Sequence, residues 1–310
     1  MSSDSDTTRA IDAVLLIAFG GPTAPGEIRP FLENVTRGRA IPRERLDAVA
    51  HHYEAMPGGR SPLNALTHAQ AEALRRRLGD RVPVYVGMRN WHPYLHETLA
   101  TMARDGCRRA VGVILSAFRC EASWERYMHD VAGARARVTA APEIAYTPAW
   151  FEHPRFIAAV ADRVGAALDA LPADARDRTP LVFTAHSIPR AMADGSPYVA
   201  DFNAAAAAVA RRLGHPRWFL AYQSRSGGPR DPWLEPDVGE TIRDLAKAGE
   251  GRVVVVPIGF VVDHVEVLYD LDIEARVMAA QHGVAYHRAA AVNDHPEFIA
   301  MLAELVRERA

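Results

Sequence analysis

A chain of 310 residues that is 49% apolar and 24% charged has enough apolar side chains for two cores of ordinary domain size. Its formal net charge of −2 leaves no global basic field, so neither nucleic acid nor an anionic lipid surface is expected as a partner. Cys107 and Cys120 form no CxxC motif, which argues against a disulfide framework, a structural zinc site and a four-cysteine iron–sulfur cluster, and fits a reducing, cytoplasmic setting.

In chain order, the polar opening MSSDSDTTRA gives way to an apolar run ending at Phe19, too short for a signal segment or a membrane span. It reads as a first buried strand, 14–19. Similar short runs recur at 82–88, 110–118, 143–150, 181–186, 217–223, 253–260 and 284–289, which makes four in each half of the chain. Helical patterns fill the intervals at 63–78, 94–105, 123–137, 154–170, 200–213, 237–248, 264–281 and 295–308. This alternation predicts an α/β fold of two similar half-domains, each a four-stranded parallel sheet flanked by helices and wound by right-handed crossovers. The polar, proline-bounded stretch LPADARDRTP, 171–180, is the expected joint. It divides the chain into an N-terminal half, 11–170, and a C-terminal half, 171–310, with the last helix a candidate to pack back on the first half. Segment 24–62 holds a helical pattern but no buried strand, and long insertions at the carboxyl end of a strand often form lids or binding lips.

Nearly every polar or glycine-rich oddity follows a strand: Gly20-Gly21-Pro22, Arg89-Asn90-Trp91, Arg119 to Trp124, His186-Ser187, Gln223 to Pro229, and Asp263-His264-Val265-Glu266. In parallel sheets these positions share one rim, facing a cleft between the halves. The stretch FTAHSIP delivers His186 to that rim, and Glu266 opens the helix after the strand of VVVVPIGF. An imidazole facing a carboxylate across a cleft can ligate a borderline ion such as Fe²⁺ or move protons near neutral pH. Taken singly, each has a plainer reading, as a packing histidine and as a first-turn acid serving the helix dipole.

Glu266, Asp270 and Glu274 follow one another at i, i+4 and i+8, a spacing at which like charges repel by about 0.2–0.5 kcal/mol per pair. A track for metal and protons and a solvated helix face both account for the stripe at this point. Other motifs are weaker. His92 and His96 lack the HExxH glutamate and read as a surface pair, no GxGxxG or GxxxxGK[ST] is present, Ser187 is not in a GxSxG elbow, and Cys120 reads as packing.

Several of these stretches, in order, are FGGP, RPFLENVTRGR, GGRSPLNALTHAQ, VYVGMRNWHPY, FTAHSIP, YQSRSGGPRDPWLEPDV and VPIGFVVDHVEVLYDLDIE. Through them the sequence, from about Ala13 to its C-terminus, resembles the ferrochelatase family, specifically its soluble bacterial coproporphyrin type. The resemblance implies a porphyrin cleft between the halves, with Fe²⁺ inserted into coproporphyrin III to give Fe-coproporphyrin in haem biosynthesis. It implies no cofactor beyond the substrate Fe²⁺, no stable membrane insertion, and the 24–62 segment as the lip of the cleft. Alternatives are protoporphyrin IX or another tetrapyrrole and metal as substrates, and, in a different class, a non-catalytic haem carrier. By position His186 and Glu266 match the iron-site pair, Asp270 and Glu274 are relay candidates, and Ser61 and Tyr127 match residues lining the porphyrin site. The plainer readings of the last two are a turn serine before Pro62 and an amphipathic-helix tyrosine.

Phe19 stands where some relatives have a tyrosine able to approach the iron, and a phenyl ring cannot ligate metal. Arg29, Arg37, Arg39, Arg43 and Arg45 on the lip suit a tetracarboxylate. That inference is tempered because a single lysine, Lys247, stands among 36 basic residues, a bias towards arginine throughout the chain. With no long heptad pattern, a monomer is the default expectation.

Overall fold

The computed structural model describes residues 11–38, 41–79, 82–227 and 231–309. Around a first sheet run β1 (Ala13–Ala18), α1 (Ile28–Val35), α2 (Arg43–Glu54), α3 (Leu63–Leu78), β2 (Val84–Met88), α4 (Leu95–Arg104), β3 (Arg109–Ile114), α5 (Arg126–Arg135), β4 (Glu143–Tyr146) and α6 (Pro154–Asp169). Around a second run β5 (Leu181–His186), α7 (Arg190–Asp194), α8 (Tyr198–Leu213), β6 (Trp218–Gln223), α9 (Val238–Lys247), β7 (Arg252–Val256), α10 (Val265–Leu268), α11 (Arg276–Gln281), β8 (Ala285–Arg288) and α12 (Pro296–Arg307).

Both sheets are four-stranded and parallel throughout, with the orders β2-β1-β3-β4 and β6-β5-β7-β8. This is the same winding twice, as the alternation of runs predicted. In each sheet the order reverses between the first and third strands, and a crevice opens there at the carboxyl ends. The switch point of the second sheet lies between β5, which ends in His186, and β7, whose continuation leads to Glu266.

The central strands are apolar on both faces because helices cover both. Along β1, Val14, Leu16 and Ala18 face the central core, while Ala13, Leu15 and Ile17 pack with Leu95, Leu99 and Met102 on α4 and its flank. The central core is continuous between the sheets: Val14 and Val113 belong to the same cluster as Phe183 and Val254, joined through Phe156, Phe202 and Phe298 on α6, α8 and α12. The C-terminal helix α12 packs against α3 and α6, and Arg155 on α6 binds both Glu297 and Glu304 on α12 at 2.7 Å. None of the helices among the described residues is long and apolar enough to cross a membrane.

Several elements are shorter than the sequence pattern predicts. The runs 143–150 and 253–260 end as strands at Tyr146 and Val256, shortly before Pro148 and at the residue preceding Pro257, where a proline offers no ladder hydrogen. The run 110–118 leaves the sheet after Ile114. The helix expected over 123–137 begins instead with a π turn at Glu121–Glu125. The helix expected over 264–281 is likewise broken, by a π turn at Asp270–Ala275 between α10 and α11.

One ion pair ties the loop after β3 to α8. Arg119 donates through Nε and Nη2 to the two carboxylate oxygens of Asp201 at 2.8 and 2.7 Å, and the Asp201 side chain is only 2% exposed. Arg119→Ala leaves that carboxylate buried with one backbone hydrogen bond and is expected to cost about 3 kcal/mol. Asp201→Ala leaves a guanidinium that is already 39% exposed and can turn to water, for a loss of about 1–2 kcal/mol. Chemical denaturation of the two variants measures the asymmetry, and equal losses would contradict it.

Candidate active site

His186 is the last residue of β5, bonded in the ladder opposite Gln223. Its ring Nδ1 lies 2.5 Å from the carbonyl oxygen of Ser187, and its own carbonyl accepts from the hydroxyl of Tyr198 at 2.9 Å. A carbonyl only accepts, so Nδ1 carries the hydrogen and Nε2 of the neutral ring keeps its lone pair. That Nε2 is 3.8 Å from Oε1 of Glu266, and both side chains retain solvent access, at 30% and 42%. The two residues picked out at strand ends therefore face each other at the switch point.

Close approach of backbone makes this possible. Gly259, in the loop after β7, donates to the Thr184 carbonyl at 3.0 Å, and a Cβ there would stand 2.8 Å from Ala185 Cα. Only glycine lets the β7 loop lie over the end of β5. The loop is then held by Arg288, which binds Asp263 and Asp272 at 2.7 Å, and by Asn293, which donates to Asp263 at 2.7 Å. His264 caps α10, its Nδ1 accepting from the Glu266 backbone N–H at 3.2 Å, and burial pushes its pKa down, so it stays neutral. Gln223 Nε2 donates to the Glu266 carbonyl. Glu266 is thus fixed at both its N–H and its C=O.

Below Glu266 the helix widens. The Tyr269 carbonyl accepts from the N–H groups of both Ile273 and Glu274, at 3.1 and 3.0 Å. Such π turns concentrate at functional sites, and the wider turn reduces the angular drift of an i+4 row, keeping Glu266, Asp270 and Glu274 closer to one line. All three line a cavity of about 350 Å³, together with Asp237 and, from the opposite wall, Arg45 and His52. Asp270 is no solvated surface acid. Burial holds its pKa well above the ordinary carboxylate range, with Glu266 and Glu274 adding repulsion, against one hydrogen bond from Ser224 Oγ. Burial also raises Glu274 and Asp237. Only Asp270 departs from a solvated helix face, since the Glu266 side chain is 42% exposed and Glu274 is exposed as well.

The other predicted residues are placed less simply. Tyr127 is buried beneath the guanidinium of Arg89, 4.3 Å from its ring centroid, and feels the charge of Glu266. Ser61 is buried against Gly21, and its Oγ accepts from the Leu63 N–H at 3.3 Å, the geometry of a turn serine; no contact joins it to His186 or Glu266. Phe19 is 38% exposed and sits edge-on to Phe31, with Arg89 6.0 Å from its ring centroid. Among the lip arginines, Arg29 pairs with Asp47, Arg45 donates to the Arg225 carbonyl at 3.3 Å, and Arg39 lies outside the described residues. Two of the four described are therefore engaged by the protein itself. His92 and His96 are exposed, with His92 Nδ1 2.9 Å from Glu97, and Cys120 is buried. His52 carries a contact that the sequence pattern does not single out, while Arg89 and Ser224 were marked only by their place just past a strand.

Comparison with known proteins follows the same lines. The chain is 47% identical to the coproporphyrin III ferrochelatase of Nocardia farcinica over 314 residues, covering 96% of this chain and 88% of that one. It is 48% identical to that of Frankia alni over 318 residues, covering 98% and 81%. In fold it resembles SirB from Bacillus subtilis with Fe³⁺, at a TM-score of 0.61 and 11% identity, over 97% of this chain and 96% of that one. The cobalt complex of the sirohydrochlorin chelatase SirB from Bacillus subtilis subspecies spizizenii gives 0.59 at 12% identity, with coverage of 97% and 96%. The family model Ferrochelatase matches residues 11–310, and with it and relatives of this closeness the chain belongs to the ferrochelatase family.

Proposed function

We propose that this chain is a coproporphyrin III ferrochelatase, which inserts Fe²⁺ into coproporphyrin III to give Fe-coproporphyrin. The observation that carries the reading is His186 Nε2 facing Glu266 Oε1 at 3.8 Å, with Glu266 itself lining an acidic cavity, in a chain 47% identical to the Nocardia enzyme.

Insertion exchanges two pyrrole N–H protons for one Fe²⁺, so the site needs a base above the macrocycle and an exit for protons. With Nδ1 committed to the Ser187 carbonyl, Nε2 is the ring atom that accepts a pyrrole proton, and Glu266 stabilises the imidazolium so formed. Asp270 and Glu274 suit the next steps, because a carboxyl whose pKa is raised by burial accepts and releases protons closer to neutrality. The same oxygens offer inbound Fe²⁺ ligands in place of its water. Among the described residues no three His, Cys, Asp or Glu side chains converge to hold an ion. A pair of protein donors leaves other coordination positions for pyrrole nitrogens, so the macrocycle can win the metal. A cleft that bends the ring from planarity would expose those nitrogen lone pairs and favour the transition state over the flat substrate.

Mixing the purified protein anaerobically with Fe²⁺ and either coproporphyrin III or protoporphyrin IX tests this. The free-base absorption of coproporphyrin III is expected to vanish at least about 10-fold faster than that of protoporphyrin IX. The reverse preference would change the substrate, and porphyrin binding without insertion would replace the enzyme with a carrier.

A further inference from the structure

The helix α2 belongs to the lip, yet one of its faces is a wall of the acidic cavity. Arg45, Val49, His52 and Tyr53 follow the i, i+4, i+7, i+8 spacing of one helical stripe, and all four line it. Three contacts fasten this face to the second half of the chain. Arg45 Nη2 donates to the Arg225 carbonyl, Tyr53 shares an apolar cluster with Val265, and the imidazole of His52 lies flat on the ring of Tyr269, centroids 3.8 Å apart and planes within 10°. The last contact falls at a decisive place. Tyr269 sits between Glu266 and Asp270, and its carbonyl is the one shared by two N–H groups where the π turn begins. Such a shared acceptor is a weak point in a helix, and a side chain stacked on that residue from outside restrains it.

We propose that His52 is a positioning residue: its stack on Tyr269 clamps the π turn to the lip, so that the carboxylates of Glu266 and Asp270 hold their line only while α2 is seated. The role in metal delivery rests on the ferrochelatase reading above, but the clamp itself does not. His52 forms no hydrogen bond or ion pair with His186 or Glu266; the Glu266 charge reaches it only through space, and its ring contact, through which the clamp acts, is with Tyr269. A flat apolar ring should replace it, whereas a methyl group should not.

Hydrogen exchange and steady-state kinetics of His52→Ala and His52→Phe in the full chain separate the two levels. In His52→Ala the amides of 265–275 are expected to exchange at least about 10-fold faster than in the parent chain, with exchange in β5 and β7 unchanged. The same variant should raise the KM for Fe²⁺ or lower kcat by about 10-fold while coproporphyrin binding, followed by fluorescence, stays within about twofold. His52→Phe should restore both readouts. Unchanged exchange in His52→Ala, or a His52→Phe variant as impaired as His52→Ala, would overturn the clamp whether or not the protein proves to be a chelatase. Faster exchange with unaltered iron kinetics would overturn the coupling to metal delivery. A parent chain that binds porphyrin without inserting iron would count against the ferrochelatase reading and leave the exchange result to decide the clamp.

Discussion

His186→Ala is expected to lower iron insertion at least about 1,000-fold while leaving coproporphyrin affinity within about threefold of the parent value, as befits loss of a general base rather than of a binding surface. The geometry makes the variant a clean one. The backbone carbonyl of His186 still receives the Tyr198 hydroxyl and the ladder to Gln223 is untouched; the losses are the Nδ1–H bond to Ser187, worth about 1 kcal/mol, and the 3.8 Å approach of Nε2 to Glu266. Removing the ring opens space next to a partly accessible carboxylate, so millimolar imidazole in solution should return a measurable fraction of the rate. Stopped-flow absorbance under anaerobic conditions, with porphyrin binding followed by fluorescence quenching, measures both halves of the expectation. Retained turnover would remove His186 from the chemistry, and lost porphyrin binding would make it a wall of the cleft rather than a base.

Much of the fold was legible because its boundaries are written in residues with one conformational meaning. The bounds of α3 are those of the sequence pattern: Pro62 precedes it, and Gly79, at φ +83°, ends it where other residues would be strained. The bounds of β5 were equally plain, from a run that follows Pro180 and turns polar at His186 and Ser187. The lip was legible only as an insertion. The sequence of α2, RERLDAVAHHYE, buries little more than Ala50 and Tyr53, too thin an apolar stripe to set its place, which comes from packing on Phe31 and its neighbours in α1 and on Val265 and Tyr269. The π turns were not legible at all. Hydrophobic periodicity averages over several turns and does not register one widened carbonyl acceptor.

The site divides in the same way. His186 ends β5 and Glu266 opens the helix that follows the loop after β7, and parallel winding brings both to the carboxyl rim of one sheet, so their meeting was a matter of topology. The contacts that tune them come from segments that meet only when the chain is folded. Ser224, which donates to Asp270, and Gln223, which donates to the Glu266 carbonyl, lie 46 and 43 residues from their partners, and nothing in their local spacing announces the pairing. Ser61 marks the converse case, since its turn geometry satisfies the plainer reading by itself and leaves any porphyrin role resting on family position.

Asp270→Asn is expected to give a more stable and less active protein, and the pH dependence of that exchange follows from one raised pKa. Burial, with repulsion from Glu266 and Glu274, holds the Asp270 carboxyl protonated to higher pH in the folded chain than in the unfolded one, where an aspartate ionises near 3.9. Below that unfolded value both states are protonated and the variant gains nothing. Above it the unfolded chain releases its proton first, binds fewer protons than the native state, and stability declines as pH rises towards the folded value. Asparagine does not ionise, so the advantage of the variant should open above about pH 4 and grow until the folded Asp270 has titrated, reaching about 1–2 kcal/mol or a few degrees in Tm at neutral pH. The Ser224 hydroxyl can still donate to the amide oxygen, which keeps the local geometry. Turnover should move the other way, by about 10-fold or more, because the amide can neither carry a proton nor offer Fe²⁺ an anionic oxygen. Thermal denaturation from pH 4 to 8 alongside iron-dependent rates tests the pairing. A variant that is stabilised with unchanged turnover would reduce the acidic line to an electrostatic burden, and one that is destabilised at every pH would show Asp270 to be a structural hydrogen-bond partner instead.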